Sequence, residues 1–244
     1  MKLKATVLGG IFEIWKLSQS ILSDKFRWRP FLAHEPEREG ADLWGNEICA
    51  QTVLEHVYGI SLLATWIVEK LGREVELNQE LLLRAFLIHD WSEGELERGD
   101  IPDPEKTPQH LLEEYLAFEA RFSQMARIDH LLFREAYLLS MAHLPMNVLN
   151  CLPKDAQDDL RLIRQLCMRE AVLFRLIELT EYLLFALWQF QDYKACKMFV
   201  KVADNNLVQL EQLMAELPEF KELIWTREVS TEYCAELEKA RSLI

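Results

Sequence analysis

Apolar residues recur three and four positions apart along almost the whole of this chain, and that spacing commits it to helices. Little interrupts the pattern, because the 244 residues include only 8 glycines and 8 prolines. Leu, Glu and Ala, which lose little on entering a helix, fill the intervals. No stretch alternates apolar and polar residues as a half-buried strand would. The spacing predicts helices over about 5–23, 46–72, 78–97, 107–126, 128–143, 154–190, 193–217 and 230–243. Thr107-Pro108 reads as an N-cap followed by the first helical position, where a missing N–H costs nothing. The segment 29–45, with two prolines, two glycines and a run of acidic residues, reads as a loop, as does 99–106 with Pro102 and Pro104. Residues 154–190 are long for one helix, and a break is expected inside them. Half the residues are hydrophobic, enough for a sizeable core, so the expectation is one all-α domain over residues 1–244.

Charge and cysteine usage exclude several functions. A formal net charge of −13 is the opposite of a nucleic-acid footprint, so no nucleic-acid polymer is expected as partner. A small anion remains compatible, because a bound cation can reverse the field locally. Cys49, Cys151, Cys167, Cys196 and Cys234 are scattered and never form a CxxC pair. Neither a disulfide scaffold nor a thiolate zinc site is expected, and a reducing cytoplasm fits. The N-terminal stretch carries Glu13, Lys16 and Gln19 and lacks a cleavage site, so it reads as a helix rather than a signal peptide. No run reaches the roughly 18 apolar residues of a membrane span.

The polar residues that stand out lie at the end of the apolar run Leu81–Ile88: His89-Asp90-Trp91-Ser92-Glu93, followed by Gly99-Asp100-Ile101-Pro102. Leu82, Phe86 and His89 share one helical face, with Glu93 a turn beyond. On the preceding helix, Val53, His56, Val57, Ile60, Ala64 and Ile67 form one stripe, which turns His56 inward. Polar groups set against a core need a partner, since uncompensated burial costs several kcal/mol. Imidazole and carboxylate together suit Mn, Fe, Co, Ni or Zn better than calcium.

The segments Leu54-Glu55-His56-Val57-Tyr58, Leu87-Ile88-His89-Asp90-Trp91-Ser92-Glu93 and Gly99-Asp100-Ile101-Pro102 resemble the HD-domain metal-dependent phosphohydrolases. Within them the chain is most similar to the 5′-deoxynucleotidase branch, over about residues 20–215, with a small insertion between Glu93 and Asp100. The resemblance implies an HD-type helical bundle with additional C-terminal helices. It also implies one divalent ion, held by His56, His89, Asp90 and an aspartate on a later helix. Two residues compete for that last place. Asp204 follows the apolar-Lys stretch Phe199–Ala203 in line with Val200 and Leu207, and is the preferred choice. Glu178, in Leu176-Ile177-Glu178-Leu179-Thr180-Glu181-Tyr182, is the rival.

The activity so implied is phosphate removal from a (deoxy)nucleoside 5′-monophosphate, a small-molecule substrate. Glu93 would orient or deprotonate water and Asp100 would protonate the leaving 5′-oxygen. Arg27 and Trp28 would bind substrate, the guanidinium clamping phosphate and the indole stacking on the base; Trp44 is closer to His56 along the chain. Two other readings stand beside this one. His110 and His143 would serve a dinuclear phosphodiesterase or oxygenase, whereas helix-end histidines more commonly cap backbone groups. A non-catalytic HD regulatory module is the other. A homodimer also suits the resemblance, with residues 154–190 offering apolar surface.

Overall fold

The structure is a computed structural model that describes residues 53–90, 92, 96, 106–123 and 127–244, with only the backbone of Leu54. Among the described residues every regular element is a helix, and no strand occurs. In chain order they are α1 (Val53–Leu71), α2 (Gln79–Ile88), α3 (Pro108–Phe122), α4 (Arg127–Met141) and α5 (Met146–Leu149). There follow α6 (Lys154–Leu166), α7 (Met168–Tyr193), α8 (Cys196–Met214), α9 (Pro218–Leu223) and α10 (Arg227–Arg241). The expected all-α fold is what the chain adopts. The anticipated break in 154–190 falls at Cys167, whose φ of −130° leaves the helical region between α6 and α7. The short helices α5 and α9 were not anticipated; α9 starts on Pro218, in the first turn where a missing N–H costs nothing. The predicted helix 5–23 and loop 29–45 lie outside the described residues. No described helix is long and apolar enough to cross a membrane.

The described residues form two compact units, with boundaries after Glu76 and after Arg175. In the unit Leu77–Arg175, α2 begins at Asn78, whose Oδ1 accepts the Leu81 N–H at 3.1 Å. The Asn78 N–H in turn donates to Glu170 Oε1 at 2.7 Å, tying the start of α2 to the first turn of α7. Helix α2 packs on α4, and α4 also meets α3 and α6. The Phe118 ring lies parallel to Tyr137 at 4.2 Å, and Phe86 stacks on Phe174 at 4.5 Å. Arg134 on α4 reaches Glu119 at 3.0 Å, Asp155 at 2.6 Å and Asp159 at 3.2 Å, so one guanidinium binds α3 and α6 to α4. Thr107 caps α3 with Pro108 in its first turn, as read from the sequence.

The other unit joins the described residues up to Glu76 with Leu176–Ile244. Helix α1 buries Ile60, Leu63, Ala64, Ile67 and Leu71. From Leu176 on, α7 buries residues all round, Ile177, Leu179, Leu183 and Leu184 among them; a helix apolar on every side has to lie inside. Helix α9 packs on α1, and α8 packs on α9 and α10. Tyr233 of α10 is fully buried and donates its phenol to the Leu183 carbonyl of α7 at 3.1 Å. Between α7 and α8 the chain turns at Lys194, held in the left-handed region at φ 60°.

Candidate metal centre

His56 arrives where its stripe predicts, fully buried on α1. Its Nδ1 lies 3.1 Å from Glu181 Oε2 on α7, with both side chains wholly out of solvent. The Tyr182 ring lies over the imidazole, centroids 6.1 Å apart and planes inclined by 22°.

His89 closes α2, its backbone N–H donating to Ala85 O at 3.0 Å. Its Nδ1 donates to the Phe86 carbonyl at 3.0 Å, and its ring edge meets Phe174 at 5.4 Å. A carbonyl oxygen cannot donate, so Nδ1 carries the proton in this bond. The remaining nitrogen, Nε2, lies 3.3 Å from Asp90 Oδ2, and both residues are buried. A neutral imidazole lone pair and a carboxylate at that distance repel unless a proton or a metal cation lies between them. Ser92, fully buried, meets Tyr137 of α4 oxygen to oxygen at 3.0 Å and so anchors the segment just beyond the pair.

His56, His89 and Asp90 form a buried group that could hold a metal ion: each offers one ligand atom, and these atoms lie within 4.8 Å of one another. Two imidazoles and a carboxylate also match a first-row transition ion with positions left for water or substrate.

The expected aspartate does not join them. Asp204 stands on the exposed side of α8, its side chain 51% accessible, and accepts a hydrogen bond from Arg241 at 2.6 Å. The buried stripe of α8 is Phe199, Ala203, Leu210 and Met214. That stripe is one residue, about 100°, out of phase with the Val200-Asp204-Leu207 line chosen from the sequence. Glu178 is buried on α7 and accepts from the Tyr182 phenol at 3.4 Å, and it too lies outside the three-residue group. His110 sits in the first turn of α3: its Nδ1 accepts the Thr107 N–H at 3.2 Å, while the Thr107 hydroxyl accepts the His110 N–H. His143 lies in the turn after α4, and neither histidine belongs to the group. Glu93, Asp100, Arg27, Trp28 and Trp44 lie outside the described residues. Glu181 is the residue that the sequence reading passed over. A glutamate with Leu179, Leu183 and Leu184 around it, in a helix with no polar side, was the signal for it.

No protein-family model, curated protein or solved structure matches this chain.

Proposed function

We propose that the chain is a divalent-metal-dependent phosphohydrolase that removes phosphate from (deoxy)nucleoside 5′-monophosphates. The observation that carries this reading is the buried His56, His89 and Asp90 group, with the His89 lone pair turned toward a carboxylate. The resemblance of the surrounding segments to the HD-domain 5′-deoxynucleotidases supplies the substrate class.

His56, His89 and Asp90 would hold one ion of the Mn, Fe, Co, Ni or Zn type. When bound, such an ion lowers the pKa of water and neutralises phosphoryl charge. Glu93 would take the proton from the attacking water as its oxygen bonds to phosphorus. Asp100 would deliver a proton to the 5′-oxygen as the P–O5′ bond breaks, leaving inorganic phosphate and a nucleoside. Arg27 would clamp the phosphate through paired N–H donors, and Trp28 would stack on the base. The commitment of His110 to the α3 cap favours one ion over two.

The test is a phosphate-release assay over nucleoside mono- and triphosphates with each metal in turn. Release from 5′-monophosphates, dependent on Mn, Co or a similar ion and abolished by His89→Ala and by Asp90→Asn, is the expected result. A wild-type protein that binds metal yet releases no phosphate from any nucleotide would overturn the enzymatic reading in favour of a regulatory module.

A further inference from the structure

We infer that Tyr137 of α4 is a positioning residue of the metal centre, fixing Asp90 in place through the buried hydroxyl of Ser92. The inference rests on the metal-site reading above. It starts from where the ligands lie along the chain. Helix α2 ends at Ile88, so His89 and Asp90 stand where its ladder of backbone bonds stops. Helix ends fray, and a ligand carried there needs anchors outside the helix. Two anchors bracket Asp90. Upstream, His89 Nδ1 donates to the Phe86 carbonyl at 3.0 Å, turning back onto its own helix. Downstream, two residues past Asp90, Ser92 Oγ lies 3.0 Å from the phenol oxygen of Tyr137, which reaches over from another helix.

Tyr137 is itself held. Its ring lies parallel to that of Phe118 on α3, centroids 4.2 Å apart and planes inclined by 6°. Phe118 and Ser92 are both 0% exposed, and Tyr137 is 2% exposed. Out of water such a bond is electrostatically stronger than at a surface, and a stacked ring holds its hydroxyl in one place. The hydroxyl is what separates this role from packing. Phenylalanine would fill the same space and keep the stack on Phe118, yet release Ser92 and the segment that carries Asp90. A purely structural bond would tie the end of α2 to α4 and leave metal affinity alone.

Cobalt separates these roles, because its visible absorption reports ligand geometry without any turnover. The full-length wild type, Tyr137→Phe, Ser92→Ala and the double variant would be titrated with Co²⁺ by absorption and calorimetry, and the metal-free proteins melted in parallel. Ser92→Ala removes the bond from its smaller end, so the test stands even where Tyr137→Phe fails to fold. Leu160→Ala, which hollows the buried side of α6 in the same unit, is the control for lost stability. Each single variant should weaken Co²⁺ binding by about 3- to 10-fold, the equivalent of one hydrogen bond, and alter the cobalt spectrum. The double variant should lose no more than either single one, because both remove the same bond. Leu160→Ala should melt lower and bind Co²⁺ as the wild type does. A Kd within about 1.5-fold of wild type in the folded single variants would overturn the positioning role. So would losses that multiply in the double variant, or an equal loss in Leu160→Ala. A wild type that binds no Co²⁺ would remove the metal site and this role together. A wild type that binds Co²⁺ but hydrolyses no nucleotide would remove the nucleotidase reading and leave the role of Tyr137 standing.

Discussion

At the residue scale, the hydrogen bond from His89 Nδ1 to the Phe86 carbonyl turns the other ring nitrogen, Nε2, toward Asp90. The same scale sets Asp204 apart from the buried group: its carboxylate accepts from Arg241 at the surface. Asp204→Ala should therefore leave metal content and phosphate release at wild-type levels. Its stability cost should stay below about 1 kcal/mol, because an exposed ion pair is screened by solvent. Metal analysis and a urea melt of the variant check both parts. Loss of bound metal in Asp204→Ala would restore it to the ligand set.

At the element scale, helices whose apolar stripe is complete were legible in the sequence. The α1 stripe placed His56 inward, and Leu82, Phe86 and His89 on one face of α2 proved buried together. Thr107-Pro108 marked the start of α3 because capping chemistry is local. Helix α8 misled because it offers two neighbouring lines, Val200-Asp204-Leu207 and Phe199-Ala203-Leu210. Only packing against α9 and α10 chooses between them. Helix α7 hid Glu181 for the opposite reason: with apolar residues on every side, periodicity gives no direction in which to look. Lys194 between α7 and α8 was equally silent, since a left-handed residue is usually glycine or asparagine. Lys194→Gly relieves the Cβ clash at φ 60° and should raise stability by up to about 1 kcal/mol. A denaturant midpoint below that of wild type would show that the turn carries no such strain.

At the scale of the whole molecule, buried phenols set the alkaline limit of the fold. Burial raises the Tyr115 phenol, and its hydrogen bond to the Glu119 carboxylate raises it further; full burial raises Tyr233 well above its ordinary value. Both stay protonated in the folded chain at a pH where the unfolded chain, titrating near its ordinary value of about 10, has lost the protons. The unfolded state then binds fewer protons than the native state, so stability falls as pH rises above about 10 and is unaffected by these groups below it. An ultraviolet titration should show these two of the six tyrosines ionising only as the helices melt. Ionisation of all six ahead of the loss of helix would contradict the burial.

The central claim, that His56, His89 and Asp90 hold one divalent ion, is tested most directly by counting metal per chain. Wild type, His89→Ala and Asp90→Asn would be dialysed to equilibrium against a single transition ion and analysed for bound metal. One ion per wild-type chain, with both variants left largely empty at the same free concentration, is the predicted result. A wild type that retains no metal, or variants that retain as much as wild type, would contradict it.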